Sequence, residues 1–406
     1  MRTTEWVTTI AALLTAAGMT ASSMAADTPG VTATEIKIGQ TMPYSGPASV
    51  LSSNAKAELA YFKMINERGG INGRKITLIS VDDGYMPPRT IEQVRRLVEQ
   101  ENVAFLFNTL GTAPNAAIQK YLNDRKIPQL FVSSGASKWG DPQHFPWTMG
   151  WQPVYRTEAR IYGRYILKTK PAAKVAVLYQ NDDFGRDYLT GLKEGLGAEE
   201  ARDMIVQEAS YEVTDATIDS QILSLRESGA DTLLVAATPK FAAQSIRKVY
   251  DIGWQPLFFM TNVSTSPGAV LIPAGVEKAV GLVSAGYLKS PVDPKWYDDP
   301  GMKQWRAFMA EYYPEGDLTD AGNVYAFNVA ATLVQVLTQC GDDLSRENIM
   351  KQAANLTGYV PPALLPGITI NTSPTEYYPV RQLQLEVWNG KTWKHISELI
   401  NTAADY

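Results

Sequence analysis

From Glu35 onward the chain alternates short β-branched runs with longer segments whose apolar residues recur every three or four positions. The runs EIKIGQTM, ITLISV, AFLFNTL and IPQLFVSS are separated by NAKAELAYFKMINERGG, RTIEQVRRLVEQ and NAAIQKYLNDR. That order predicts a parallel sheet covered by helices. A second series follows FPWTMGWQP: helix RTEARIYGRYIL, strand KVAVLYQ, helix RDYLTGLKEGL, strand MIVQEASY, helix TIDSQILSLRESG, strand DTLLVAAT, helix KFAAQSIRKVYDIG and strand PLFFMTN. Two doubly wound units of similar size are therefore expected. The last 120 or so residues give a strand (KAVGLVSAGYL), three helices and a strand pair turning at Asn389-Gly390. They complete the two units rather than build a third, so the chain must cross between lobes more than once.

Length agrees with this division, since 406 residues at 45% hydrophobic content exceed one ordinary core. The opening MRTTEWVTTIAALLTAAGMTASSMAADTPG reads as a secretory signal peptide over residues 1–25, with small residues before a cut after Ala25. No cysteine follows that point until Cys340, which leaves a lipid no attachment site there. A free, non-lipidated periplasmic protein is the expectation. Cys340 is read as a buried small hydrophobe. A net charge of −5 argues against a nucleic-acid partner. With His144 and His395 as the only histidines, neither a His-based triad nor a zinc site is expected, and the chain is read as no enzyme and as carrying no cofactor.

The candidate chemistry lies in the turns after the first-unit strands. In open α/β sheets ligands bind beyond the carboxyl ends of the strands, where strand order reverses. The elbow at Leu110, Gly111 and Thr112 ends one strand and opens a helix, whose first N–H groups lack partners and favour an anion. Gly111 permits close backbone approach and Thr112 adds a hydroxyl, with simple helix capping by Thr112 as the alternative. The next turn, Ser133-Ser134-Gly135, repeats this chemistry. Tyr44, in Pro43-Tyr44-Ser45-Gly46-Pro47, is a candidate aromatic wall or plain loop packing. Lys240 is read as a solvated lysine at a helix start.

These residues resemble the leucine/isoleucine/valine type of periplasmic binding protein, which serves ABC importers. The likeness rests on Tyr44-Ser45-Gly46-Pro47, Ile65-Asn66-Glu67-Arg68-Gly69-Gly70-Ile71-Asn72-Gly73, Val81-Asp82-Asp83, Leu110-Gly111-Thr112, Ile127-Pro128 and Asp182-Asp183-Phe184-Gly185, and it covers nearly the whole mature chain. It implies an α/β type I periplasmic binding protein fold, with two doubly wound parallel-sheet lobes joined by a hinge of three crossovers. Lobe 1 is expected over 27–149 plus about 286–365, and lobe 2 over 150–285 plus about 366–406. The resemblance further implies a ligand carboxylate held by Gly111, Thr112 and Ser133 to Gly135, with Phe184 and Thr238 closing over it. A small carboxylate ligand, a cognate inner-membrane ABC permease and a monomeric state are expected. A ligand-sensing receptor module of the same fold is the rival reading.

One departure bears on the ligand. Relatives that bind α-amino acids place an acid after the strand matching PLFFM, whereas Thr261-Asn262-Val263-Ser264-Thr265-Ser266 has none. An unpaired ammonium buried there would be costly. Either Asp182 or Asp183 substitutes, or the ligand lacks an ammonium, and the sequence leans towards the latter, a small aromatic or aliphatic acid. Asn262 joins the candidate site on this ground.

Overall fold

The computed structural model describes residues 28–402. The signal-peptide segment lies outside the described residues. The first sheet contains β1 (Glu35–Met42), β2 (Lys75–Asp82), β3 (Leu106–Phe107), β4 (Gln129–Val132) and β5 (Thr148–Gly150), in the all-parallel order β2-β1-β3-β4-β5. Strand β1 matches the predicted run residue for residue and is buried along most of its length. Strand β3 is much shorter than AFLFNTL suggests, because Asn108 leaves extended geometry at φ 47°. Its side-chain amide instead donates to Phe131 O (2.7 Å) and Tyr325 Oη (2.8 Å).

The second sheet repeats the pattern with β6 (Val175–Gln180), β7 (Ile205–Tyr211), β8 (Thr232–Ala236), β9 (Leu257–Met260) and β10 (Val283–Gly286), ordered β7-β6-β8-β9-β10. Antiparallel β11 (Gln382–Trp388) pairs with β10, and β12 (Trp393–His395) and β13 (Ile400–Asn401) pair with β11. In the turn after β11, Asn389 Oδ1 accepts from the N–H of Lys391 and Thr392, and Gly390 takes φ 94°. The polar loop spans Asn389 to Thr392, two residues longer than the tight turn expected from Asn-Gly alone.

Both parallel units thus reverse strand order, at β1/β3 and at β6/β8, and the carboxyl ends at those points are where the lobes meet. Covering helices include α1 (Ser53–Glu67), α2 (Pro87–Glu99) and α3 (Thr112–Asp124) in the first lobe. The second lobe carries α4 (Tyr155–Thr169), α5 (Asp183–Leu196), α6 (Ala198–Met204), α7 (Asp219–Glu227), α8 (Pro239–Asp251) and the short turn α9 (Ile272–Ala274). Helices α10 (Pro300–Tyr312) and α11 (Ala321–Cys340) pack on α1, and α12 (Arg346–Ala353) packs on α11, so this block returns to the first lobe. Cys340 is buried at the end of α11.

Two of the crossovers run side by side, with Leu365 N–H donating to Tyr287 O and Lys289 N–H to Ala363 O, both at 2.9 Å. The stretch after them departs from the expected division. Thr372 bonds to Leu356 O and Ala353 O, Tyr377 Oη donates to Pro146 O, and Tyr378 Oη donates to Ser137 O, all first-lobe groups. The chain joins the second sheet only at β11, so the stretch from about 370 to 378, assigned by sequence to lobe 2, packs on lobe 1. A polar, strandless segment carries no periodicity that would reveal which lobe it lies on.

Among the described residues no helix is long and apolar enough to cross a membrane.

Candidate functional site

A cavity of about 150 Å³ lies between the two lobes. In an engineered apolar core, a cavity of roughly this size admits a benzene ring. Its first-lobe wall is the elbow. Gly111 sits at φ 100°, and a Cβ on it would fall 2.5 Å from Tyr85 Cε2, so glycine is required both by the turn and by that ring. Gly111 is the N-cap of α3, and no side chain caps the helix. Thr112 is therefore not the cap, and its Oγ1 lies 2.7 Å from Ser134 Oγ. The first-turn N–H groups of α3 have no intrahelical acceptor and carry the positive end of the helix dipole. Leu110, Gly111, Thr112 and Ser133 all line the cavity.

The second-lobe wall is built from the corresponding strand ends. Phe184 opens α5 and meets Tyr155 edge-on at 5.0 Å. Thr238 precedes α8, and its N–H donates to Tyr211 Oη at 3.0 Å. Asn262 follows β9 and is held by Glu158 of α4, whose carboxylate accepts from the Asn262 N–H (2.8 Å), Asn262 Nδ2 and the hydroxyls of Tyr162 and Tyr188. Burial pushes the Glu158 carboxyl up, to about 8, against donors that favour its ionised form. Phe184, Thr238 and Asn262 line the same cavity as the elbow.

Three sequence candidates do not line it. Tyr44 turns away and donates to Ser80 Oγ at 2.8 Å, packing beside Met42 and Ala48. Ser134 is buried behind Thr112 and orients its hydroxyl. Gly135 lets the first crossover pass close, since a Cβ there would be 2.2 Å from Pro153 O, and its carbonyl accepts from Tyr155 N–H. Lys240 donates to Asp215 O, away from the cavity.

The aspartates proposed to replace the missing acid are both occupied elsewhere. Asp182 caps α5 through Gly185 N–H and accepts from Gln180 Nε2 at 2.7 Å, and burial pushes its carboxyl up to about 6. Asp183 pairs with Lys138 across the lobes at 3.1 Å. The acids that do line the cavity are Asp320 and Glu386. Asp320 caps α11 and accepts from Ser53 Oγ (2.7 Å) and Ser266 Oγ (2.8 Å), joining the lobes.

Sequence reasoning also missed Tyr85, Gln152, Tyr155 and Tyr287 on the wall. Tyr85 follows Asp83-Gly84 at a strand end and had the positional signal of the other turns. The others lie on or beside crossovers, which no local pattern marks. Tyr325 of α11 lines it too, whereas Trp151 is buried outside it and donates to Thr332 Oγ1.

The lobes are in contact around the cavity. Asp187 of α5 accepts from Ser137 N–H (2.7 Å) and Ser137 Oγ (2.9 Å), and Gln180 Nε2 reaches Tyr85 Oη at 3.5 Å. This is a closed arrangement.

Known proteins share this architecture. Leu/Ile/Val-binding protein homolog 7 of Brucella suis biovar 1 (strain 1330) is 26% identical over 268 residues, which is 62% of this chain and 64% of that relative, so the match spans less than two thirds of its length. A substrate-binding periplasmic protein from Ralstonia solanacearum superposes with a TM-score of 0.80 at 22% identity, covering 89% of this chain and 100% of the other. A branched chain amino acid ABC transporter from Thermus thermophilus with bound valine does so at 0.82 and 17%, covering 91% and 97%. The family description "periplasmic binding protein" matches residues 35–383, nearly the whole described chain, and the protein belongs to that family.

Proposed function

We propose that this protein is the extracytoplasmic solute-binding component of an ABC importer of the branched-chain amino acid type. It captures a small carboxylate, either a hydrophobic amino acid or an aromatic or aliphatic organic acid, and presents it to an inner-membrane permease from the periplasm. The observation that carries this reading is the uncapped N-terminus of α3, with Thr112 and Ser133, opening into the same interlobe cavity as Phe184, Thr238 and Asn262. A carboxylate placed there receives charge-assisted hydrogen bonds from one lobe, while the other lobe's aromatic and polar side chains close over its apolar part. Contacts to both lobes favour the closed state over the open one, so capture and closure are one equilibrium.

Calorimetric titration of the protein, unfolded and refolded to remove retained ligand, with leucine, valine, phenylalanine, benzoate, 4-hydroxybenzoate and phenylacetate tests the proposal. At least one should bind saturably, and failure of all six would count against a hydrophobic carboxylate ligand. Thr112→Val should weaken that binding by about 1 to 3 kcal/mol, through loss of a hydrogen bond to a charged group. Unchanged affinity would remove Thr112 from the site. Asp187→Ala removes the two Ser137 bonds that join the closed lobes. It should raise the Kd by roughly 10-fold, about 1.5 kcal/mol, with small-angle scattering showing a more open shape. A scattering profile and Kd equal to the parent's would show that this clasp does not bias closure.

A further inference from the structure

Glu386 differs from the other acids around the cavity. It lies on β11, opposite Ser284 of β10 and His395 of β12, far in sequence from every turn that forms the elbow. It is 7% exposed and lines the cavity. Among the described residues no hydrogen bond reaches its carboxyl group, and His395 Nε2 stands 3.9 Å away, beyond hydrogen-bonding distance. Gly286, also on the cavity wall, makes room for that carboxyl, since a Cβ there would lie 2.7 Å from Glu386 Oε2 and 2.9 Å from Oε1.

The groups around Glu386 do not neutralise it. Burial and the charge of Lys295 lower the basicity of His395 and so favour its neutral form. The charge of Lys295 favours the ionised Glu386 from a distance, but Lys295 is paired with Asp293 at 3.3 Å, and Asp293 acts on Glu386 in the opposite direction. Lys289, which does line the cavity, is held by Asp299 Oδ1 (2.8 Å) and Pro362 O (3.1 Å). Glu158 of α4 adds a further acidic group to the surroundings. A buried carboxyl without a donor is costly unless something entering the cavity supplies one.

We infer that Glu386 is the counter-ion for a cationic nitrogen of the ligand, so that the cavity takes a zwitterion whose ammonium is held from β11. This rests on the carboxylate-binding reading above and narrows it, since the acid missing after β9 is supplied by a different strand. Burial pushes the Glu386 carboxyl up to about 8. An ammonium beside it favours ionisation, so binding near pH 7 transfers the Glu386 proton to the buffer while the ligand keeps its own.

The test is calorimetry at pH 7 in phosphate and in Tris, with leucine and phenylalanine against their deaminated counterparts, 4-methylpentanoate and 3-phenylpropanoate. The expected result is at least a ~10-fold preference for the amino compounds, with release of about one proton per ligand. Glu386→Gln, with its folding checked by thermal melting, should abolish the preference and the proton release. Gly286→Ala, which displaces the carboxyl without removing it, should reduce the preference in the same direction. Equal affinity for both ligand classes, or an unchanged preference in Glu386→Gln, overturns the inference. If the deaminated acids then still bind and Thr112→Val weakens them, the carboxylate site survives and only the role of Glu386 falls. Binding of no compound overturns both readings.

Discussion

Gly191→Ala should lower the stability of the second lobe by roughly 3 kcal/mol, although alanine is intrinsically the better helix former by about 1 kcal/mol. The reason is the contact between α4 and α5. A Cβ on Gly191 would lie 2.0 Å from Arg156 O, on Gly195 2.3 Å from Arg160 O, and on Gly163 2.8 Å from Leu192 O. The two helices therefore approach backbone to backbone through a line of glycines, and the obstructing atoms belong to a helix that cannot yield locally. Adding one methyl must push α5 away from α4. That shift would carry with it Phe184 and Asp187, which respectively line the cavity and clasp the first lobe. Chemical denaturation followed by tryptophan fluorescence measures the loss, and a midpoint equal to the parent's would show that the helices separate without cost.

Glu158→Ala should be of similar severity, about 3 to 5 kcal/mol, and should also damage binding. The substitution strips acceptors from the fully buried Tyr188 Oη and from the half-buried Asn262 N–H and Nδ2, while Tyr162 Oη retains Met260 O at 3.0 Å. Orphaned buried donors account for most of the cost, and the vacated volume adds to it. Because Asn262 faces the cavity, its loop loses its anchor and ligand affinity falls with stability. The same group sets a pH dependence. The folded carboxyl is raised to about 8 from an ordinary value near 4.3, so the folded state binds the proton more tightly. Its contribution is fully present below about pH 4 and declines as pH rises towards 8. In Glu158→Gln that decline should be shallower than the parent's in the stability profile measured by denaturation between pH 5 and 8, the remainder coming from the similarly raised carboxyls of Glu386 and Asp182. A profile parallel to the parent's would assign the pH response to another group.

The elbow was legible because its signal is local. A strand end, a glycine, a hydroxyl and a helix start lie within a few consecutive residues, and the backbone chemistry of a helix N-terminus does not depend on distant partners. Ser133 and Thr238 were legible for the same reason, as residues immediately beyond strand ends. Tyr44 has the same sequence position, yet Ser80 on the neighbouring strand offers its hydroxyl a partner and draws it from the cavity. Nothing in Pro43-Tyr44-Ser45 encodes the position of Ser80.

By itself the sequence determined the alternation of strands and helices, hence two parallel units with their strand ends at a common cleft, because periodicities of two and of 3.6 residues are local properties of the chain. It also marked strand-end turns whose residues Gly111, Thr112, Ser133 and Thr238 line the interlobe cavity. The tertiary structure alone decided which acids face the cavity. Asp182 and Asp183 sit in a family-like motif but are used for a helix cap and an interlobe ion pair. Glu386 gives no sequence signal and reaches the wall only because β11 pairs antiparallel with β10 over Gly286. Its position depends on a pairing between residues about 100 apart in the chain, and long-range register of that kind is fixed by packing and hydrogen bonding rather than by any neighbouring residue.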